Sequence, residues 1–341
     1  MVQNKAMSQY LRVTRTLKVI TAASLLISVI AISLALYAIY AINMHQQVRV
    51  ANSTNTINTT NKTATFGDTL AGIDQPINSS SLAVINNANI SYFEEAGEML
   101  LNGSLVNMVT LGSNNVTAYV AKGKPSVIYL GSITCVWCGE NRWAMALALA
   151  RFGTFSQLHL GYSAIGDSDV PTLYWNEDPL NSTGVTLGNY YSSSYINFYT
   201  FEDHAPIAGG FSMQSPQVIQ TEVNATGNSS YIAAFGYVMS LQANNKTAFQ
   251  GTPYTIWGNS QFNGADAIDF GNTMPTGSVP ALTDMTHGQV FAQLAHPNDQ
   301  FAWTEYAAAD FYIANVCHTL NNTATICGLP AIQRLETIKF R

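Results

Sequence analysis

Hydrophobic residues are concentrated first near the N-terminus, where residues 19–42 contain no charged side chain. As a helix this segment would be about 36 Å long, enough to cross a hydrocarbon core of about 30 Å. Four basic residues precede it, so the positive-inside rule keeps residues 1–18 in the cytoplasm and sends the rest outside. A cleaved signal peptide is the alternative, but signal peptides have shorter apolar cores and a cleavage site that we do not find. The pattern therefore predicts a retained, single transmembrane helix in the cell membrane.

Polar residues without an apolar period follow at 43–65, which predicts a tether with no core of its own. The extracellular domain is expected to begin near residue 66, with 66–123 as its N-terminal extension. Acceptor triplets of the form Asn-x-Ser/Thr recur along this side of the chain and favour glycosylation of its surface. They begin at Asn52, Asn58, Asn61, Asn78, Asn89, Asn102, Asn115, Asn181, Asn224, Asn228, Asn245 and Asn321.

The most informative patterns lie between residues 124 and 163. A continuous apolar run at 126–131 is typical of a buried strand, and 141–152 is the strongest helical pattern of the chain. A second strand is predicted at 158–163. From 164 to 244 the sequence becomes rich in Tyr, Ser, Asn and Gly, which we interpret as a large insertion with some helix around 230–241.

The remaining elements are predicted from shorter patterns. A hairpin around Gly258-Asn259 is expected to join strands at 255–257 and 261–262. The alternation of strands and helices indicates an α/β fold, in which 124–163 and 245–341 are two halves separated by the insertion 164–244. The other predicted elements are a helix at 89–101, strands at 106–111 and 116–120, and helices at 287–295, 301–320 and 331–338.

Composition narrows the function classes. Only 10% of the residues are charged and the net charge is −6, so no basic face for nucleic acid is present outside the N-terminal segment. A surface with few carboxylates loses few ion pairs when they are protonated, which favours acidic surroundings. No nucleotide-binding, zincin or serine-hydrolase motif occurs, and we predict neither a cofactor nor a metal.

Chemistry is indicated by Cys135-Val136-Trp137-Cys138, which follows the predicted strand and opens the predicted helix. A cysteine at a helix start lies beside unpaired backbone N–H groups and the positive end of the helix dipole, and both favour the reactive thiolate. The two-residue spacer lets the second cysteine resolve a mixed disulfide. We therefore predict Cys135 as the nucleophile and Cys138 as the resolving thiol.

A second element fits the same site. Gly251-Thr252-Pro253-Tyr254 precedes the hairpin, and a proline at a strand start is a good position for a cis peptide. An ordinary trans proline on an edge strand is the alternative for Pro253.

The order strand, CxxC, helix, strand, then Gly-Thr-Pro opening a hairpin, then a C-terminal helix, resembles the thioredoxin superfamily. The resemblance implies a cis Pro253 beside the dithiol, with Thr252 offering its backbone to the substrate. We also predict Trp137, which lies between the two cysteines, as a substrate-binding residue. Gly-Thr-Pro before a short apolar strand is most similar to extracytoplasmic disulfide oxidoreductases of the Dsb type. More closely, the anchor, the run through Arg151-Phe152-Gly153 and the segment 194–198 resemble an uncharacterised archaeal family of membrane-anchored thioredoxin-like proteins, a domain of unknown function.

The sequence departs from the thioredoxin pattern in three respects. Thr134 precedes the first cysteine, Val-Trp separates the two cysteines, and Tyr129 stands where that family has a buried acid. Proton transfer at Cys138 would then depend on water, Glu140 or another acid. This favours an oxidase or isomerase role over that of a reductase.

Several alternatives stay open. The CxxC could be a zinc half-site or a permanent disulfide, although the spacing of Cys317 and Cys327 does not fit a second zinc pair. We interpret Cys317 and Cys327 as a structural disulfide, with a second redox pair as the alternative. Glu202-Asp203-His204 could be a metal or acid–base cluster, but we interpret it as a solvated turn of the insertion.

The sequence thus predicts a membrane-anchored, extracytoplasmic thiol–disulfide oxidoreductase or isomerase. Its expected partners are the membrane, through the N-terminal helix, exported proteins with thiols or disulfides, and a redox partner that the sequence does not identify. The competing hypothesis is a surface binding module on a redox-inactive thioredoxin fold.

Overall fold

The computed structural model describes part of the chain, all of it within one compact unit, Asn61–Arg341. The predicted transmembrane segment 19–42 and the tether 43–65 lie outside the described residues. In the described part, no helix combines the length and the apolar character needed to cross a membrane. The described residues are 75–105, 114–115, 117–132, 135–163, 170–175, 185–187, 190–203, 216–244, 254–257, 260–263, 282–283 and 285–339.

Helices and strands alternate along the described chain, which confirms the α/β class. The strands are β1 Asn114–Asn115, β2 Val120–Ala121, β3 Lys124–Ser132, β4 Gly153–Phe155, β5 His159–Tyr162, β6 Pro171–Tyr174, β7 Val185–Leu187, β8 Tyr191–Ser193, β9 Asn197–Asp203, β10 Tyr254–Trp257 and β11 Ser260–Asn263. The helices are α1 Ser79–Asn86, α2 Ile90–Leu101, α3 Val136–Leu149, α4 Pro216–Ala225, α5 Ser229–Asn244, α6 His287–Ala295, α7 Gln300–Thr319 and α8 Pro330–Lys339, with a 3-10 helix at Thr325–Gly328.

Strand β3 is the centre of the main sheet. It pairs in parallel with β9 and antiparallel with β10, and β10 continues antiparallel into β11. The full order is β1-β11-β10-β3-β9-β7, with β2 paired to the start of β3. The link between β2 and β3 is a two-residue turn in which Lys122 and Gly123 have φ of 51° and 76°, as hairpin turns of this length favour.

The apolar run of β3 is buried on both faces, as predicted. Val127 and Tyr129 pack into the larger core with α3 and α7, and Ile128 and Leu130 pack into a smaller core with α4 and α5. Side chains alternate across a strand, so a strand covered by helices on both sides needs apolar residues at successive positions.

The structure shows two features of the sheet that the sequence did not predict. The predicted strand 158–163 is present as β5, but it pairs with β6 in a separate small sheet and not with β3. The parallel neighbour of β3 is β9, which lies inside the residues interpreted as an insertion, 164–244. Strand β9 reads Asn-Phe-Tyr-Thr-Phe-Glu-Asp. Because it contains a tyrosine, a threonine and two acids, its sequence pattern does not differ from that of the polar residues around it.

The C-terminal helices follow the prediction closely. Helix α7 is buried along most of its length and contacts α2, α3 and α8. Cys317, near its end, forms the predicted disulfide with Cys327 in the 3-10 helix, with the two Cα atoms 5.5 Å apart. The bond spans a sequence separation of 10 residues, and closing a loop of that size stabilises the fold by about 2–3 kcal/mol in the chain-entropy model.

Buried carboxyl groups accompany α7. Glu305 of α7 and Glu140 of α3 interact, and burial followed by this mutual repulsion raises the pKa of Glu140 well above its usual value. Burial likewise raises the pKa of Glu305 and that of Asp310. Backbone groups of Ala144 and Gly97 oppose the rise at Glu305 and Asp310, but burial outweighs them, so the neutral form of both carboxyls is favoured.

Burial also disfavours the charged form of His287, but for this basic group it lowers the pKa. Its Nε2 lies 2.8 Å from the Gly161 carbonyl oxygen and 2.9 Å from that of Thr172, and burial lowers its pKa from 6.5 to about 4. Because the folded protein resists protonating this ring, its contribution to stability is complete above pH 6.5 and is lost as the pH falls through about 4. The buried carboxyls instead contribute fully below the pKa of the unfolded chain, and this contribution is lost as the pH rises through their folded pKa.

We predict that Glu305→Gln stabilises the protein more at pH 8 than at pH 4.5, because it removes a carboxyl that ionises in the unfolded chain at pH 8 but is disfavoured from ionising in the folded core. Urea denaturation of both proteins at each pH measures the difference, and comparing the two cancels the contribution of His287. Glu95→Gln makes the same chemical change at an exposed position of α2 and should leave stability unchanged at both pH values. Equal effects of Glu305→Gln at the two pH values would contradict the prediction.

Candidate functional site

The two cysteines of the CxxC motif lie at the start of α3, as predicted. Cys135 is the N-cap residue, with φ −77° and ψ 127°, and it is half-buried. Cys138 is in the first turn and is fully buried. Both carry thiol groups, and a side-chain hydrogen bond connects them. The helix begins at Val136, earlier than the strongest helical pattern indicated, so the motif is part of the helix and not of the loop before it.

The peptide groups of Ser132, at the end of β3, contact both cysteines. The Ser132 N–H donates to Cys138 Sγ at 3.4 Å. The Ser132 carbonyl accepts from the Cys135 N–H at 3.3 Å and from Arg142 Nη2 at 3.1 Å. The end of the central strand therefore connects the dithiol to a buried guanidinium group.

Arg142 forms an ion pair with Glu202, which is the second charged element of the site. Arg142 Nε lies 3.0 Å from Glu202 Oε1, and Nη2 lies 2.8 Å from Oε2, so the contact is bidentate. The side chains are 0% and 2% exposed. Such a pair must be held by further hydrogen bonds, because removing two charges from water is costly.

Neighbouring groups complete the surroundings of Arg142. Its guanidinium carbon lies 5.8 Å from the ring centre of Tyr129 and 5.7 Å from that of Tyr174. Its Nη1 is 3.5 Å from the hydroxyl of Thr172, and that hydroxyl donates to the Gly139 carbonyl at 2.6 Å. Strand β6 and helix α3 are thus fixed together directly behind Cys138.

Tyr129, in the middle of β3, is itself at the site. It is fully buried on the same side of β3 as α3, and it interacts with Cys138 through its side chain. Gly131 leaves room for the Tyr129 side chain, since a Cβ atom at position 131 would lie 2.1 Å from the Tyr129 hydroxyl oxygen. The glycine is required by close approach at this position and not by an unusual φ.

Burial dominates the acidity of these groups. It raises the pKa of Cys138 well above its usual value, and the contact with Cys135 raises it further, whereas Arg142 and the Ser132 N–H oppose the rise. Burial also raises the pKa of Tyr129, again against the influence of Arg142. For Arg142, burial acts to lower the pKa, but the neighbouring Glu202 outweighs it and keeps the guanidinium charged.

The structure assigns different environments to the acids considered from the sequence. The solvated-turn interpretation is wrong for Glu202, which lies at the buried end of β9 and pairs with Arg142. His204 lies outside the described residues. Glu140 is buried but faces Glu305 and Tyr312 of α7, so its electrostatic partners are not the cysteines.

The other predicted site residues are placed only in part. Thr252 and Pro253 lie outside the described residues. The residue that follows them, Tyr254, pairs with Leu130 of β3, so the chain enters β10 at the end of the sheet from which it enters α3. Trp137 is half-buried and packs against the larger core.

The second cysteine pair is separate from the CxxC in its bonding. Cys317 and Cys327 are joined to each other, so they do not supply a second pair of zinc ligands. In the part of the chain that the structure describes, no group of three or more His, Cys, Asp or Glu side chains is arranged to hold a metal ion.

Ser132 and Arg142 were not predicted as site residues from the sequence, and Glu202 was assigned to a solvated turn. Arg142 had a detectable signal, because it is the one charged residue in the apolar helix after Glu140, and it lies four positions after Cys138 on the same helix face. Glu202 had none, since its burial depends on the pairing of β9 with β3.

Comparison with known proteins gives one finding. A family model described as a domain of unknown function (DUF929) matches residues 111–260. These residues contain Cys135, Cys138, Arg142 and Glu202, and they end before α7 and the disulfide. No curated protein and no solved structure matches the chain. The matched family has no assigned function, so the site must be interpreted from its own chemistry.

The geometry predicts selective alkylation. In the reduced, folded protein, iodoacetamide should modify Cys135 more than about tenfold faster than Cys138, because Cys135 is half-exposed and thiolate formation at Cys138 is opposed by burial. Peptide mass spectrometry after brief labelling measures the ratio. Labelling in urea is the control, and there the two cysteines should react at similar rates. Faster modification of Cys138 in the folded protein would show that the site is open to solvent from the other side.

Proposed function

We propose that the chain is a thiol–disulfide exchange protein with a thioredoxin-like domain, in which Cys135 is the nucleophile and Cys138 the resolving thiol. The observation that carries this proposal is the asymmetry of the dithiol. The half-exposed Cys135 occupies the N-cap position of α3. The buried Cys138 lies one turn further along the helix and is hydrogen-bonded to Cys135. An attacking thiol must reach a substrate, whereas a resolving thiol needs only to reach its neighbour.

The topology supports a thioredoxin-like domain. A central strand leads into the CxxC helix, a parallel strand follows, and an antiparallel hairpin lies on the other side of the central strand. A long C-terminal helix then packs against the CxxC helix. In this interpretation the insertion lies between α3 and β9, and it includes the small sheets of β4 with β8 and of β5 with β6.

The proposed exchange has two steps. The Cys135 thiolate attacks one sulfur of a substrate disulfide, forms a mixed disulfide, and releases the other substrate sulfur as a thiolate that takes up a proton. Cys138 then loses its proton and attacks Cys135 Sγ, which releases the second substrate thiolate for protonation. The substrate disulfide is reduced by two electrons, and Cys135 and Cys138 are oxidised to a disulfide. The reverse sequence oxidises a substrate dithiol.

Substrate contacts are proposed at the open end of this site. The resemblance assigns Thr252 and Pro253 to substrate binding, and the pairing of Tyr254 with Leu130 is compatible with this assignment. We assign Trp137, between the two cysteines, to the same role. If the predicted N-terminal anchor is present, the substrates are exported proteins and the redox partner acts at the same membrane.

Trapping of the mixed disulfide tests the proposal. The full-length Cys138→Ser protein, purified in detergent and treated with oxidised glutathione, should accumulate a mixed disulfide at Cys135. The wild type should instead proceed to the Cys135–Cys138 disulfide, and Cys135→Ser should form adducts at least about tenfold more slowly, since its remaining thiol is buried. Mass spectrometry identifies each species, and the Cys317–Cys327 bond should persist in all three proteins.

The reduction potential separates exchange from a permanent disulfide. For the wild type we expect a value between about −120 and −230 mV in glutathione buffers, the range of catalytic exchange proteins. A value below about −300 mV, together with no trapped adduct, would contradict the proposal. That result would support the alternative of a surface binding module whose disulfide is structural.

A further inference from the structure

The buried ion pair lies beside the resolving thiol, where a negative charge appears whenever Cys138 ionises. Cys138 and Arg142 are four residues apart on α3 and therefore lie on the same helix face. Both contact the end of β3, with Cys138 Sγ at the Ser132 N–H and Arg142 Nη2 at the Ser132 carbonyl. Glu202 binds the guanidinium through Nε and Nη2.

The effect of the ion pair on Cys138 depends on which of its two charges lies closer to the thiol. The guanidinium acts on Cys138 directly, whereas Glu202 has no comparable influence on the thiol. The guanidinium and Cys138 both contact Ser132 at the end of β3, whereas Glu202 binds the guanidinium from β9. A fixed pair oriented in this way is neutral as a whole but favours a negative charge at Cys138. A single buried acid, which the thioredoxin pattern has at the position of Tyr129, would have the opposite effect.

We propose that Arg142, held in place by Glu202, is a positioning residue that stabilises the Cys138 thiolate and thereby makes the Cys135–Cys138 disulfide more oxidising. This inference rests on the proposed exchange function and names the groups that set its redox balance. Stabilising the thiolate stabilises the reduced protein, and a disulfide whose reduced form is stabilised is a stronger oxidant.

The other groups around Cys138 do not replace Arg142 in this role. Cys135 raises the pKa of Cys138, and the Tyr129 hydroxyl is kept neutral, so neither group supplies a positive charge. The Ser132 N–H stabilises the thiolate but carries no net charge. Tyr174 contacts the guanidinium through its ring. Within the described surroundings of the thiol, Arg142 is the group that supplies positive charge.

Two variants should shift the potential in opposite directions. Glu202→Gln keeps the guanidinium and removes its counter-charge, so the disulfide should become more oxidising. The double variant Arg142→Met with Glu202→Met removes both charges without leaving either one buried alone, so the disulfide should become less oxidising. We expect a shift of about tenfold in the equilibrium constant with glutathione in each case, or about 30 mV for this two-electron couple.

The full-length proteins are equilibrated in glutathione buffers, and thiolate absorbance is titrated against pH in parallel. The thiolate should appear at lower pH in Glu202→Gln and at higher pH in the double variant. A purely structural role would move both variants in the same direction or leave both unchanged, and either result would overturn the inference. If the double variant does not fold, Glu202→Gln alone decides, because a disulfide that does not become more oxidising when the counter-charge is removed contradicts the inference.

Glu98→Gln is the matched control, because Glu98 forms an exposed ion pair with Arg334 at a distance of 2.5 Å. It should leave both the potential and the titration unchanged. The outcomes also separate the two proposals. A wild type that exchanges disulfides while both variants keep its potential contradicts the role of Arg142 alone. A wild type that traps no adduct and has the potential of a structural disulfide contradicts the exchange function.

Discussion

The contact between Arg142 and Glu202 fixes the relation of three elements that meet at the dithiol. It connects α3 to the end of β9, and the Ser132 carbonyl connects the same guanidinium to β3. Glu202 is opposite Gly131 in the parallel ladder, and a slip of one residue would turn its side chain to the other face of the sheet. The charged pair would then be broken, and leaving one of two buried charges unpaired costs about 3–5 kcal/mol. The register of the central strands and the surroundings of Cys138 are therefore set by the same interaction.

The two faces of the sheet are chemically different, and only one of them carries the candidate chemistry. The face towards α4 and α5 is built from aliphatic and aromatic residues of β3, β9 and β10. The face towards α3 and α7 holds the dithiol, the ion pair, Tyr129 and the carboxyls of Glu140 and Glu305. Burying so many polar groups weakens a core unless they are paired or neutral. Arg142 and Glu202 are paired, and burial raises the pKa of Glu140 and Glu305, which favours their neutral form.

The features that depend on short-range patterns could be predicted from the sequence. The apolar run of β3, the CxxC at the start of α3, the hairpin and the Cys317–Cys327 bond each depend on residues close together in the chain, and the structure has all of them. Strand β9 depends instead on a partner that precedes it by about 70 residues. Its alternating aromatic and polar residues are equally compatible with an exposed loop until that pairing is known. Glu202 was misassigned for this reason, and although a lone arginine in an apolar helix indicated a buried charge at Arg142, its partner could not be inferred.

Acidic surroundings, which the low charge of the sequence favours, would place a specific demand on such a site. Thiolates are the reactive species in exchange, and their population falls tenfold with each unit of pH below the thiol pKa. Two effects lower the thiolate population of a buried resolving cysteine. Burial raises the pKa of Cys138, and an acidic medium then lies further below that pKa. The neutral glutamates behind α3 tolerate acid without cost, but they offer Cys138 no positive charge. A guanidinium that stays ionised at any physiological pH is the kind of group that can compensate, provided that its own counter-ion is held on the far side. The bidentate contact with Glu202 at the end of β9 meets that condition, so the stability of the fold and the reactivity of the thiol depend on the same pair of side chains.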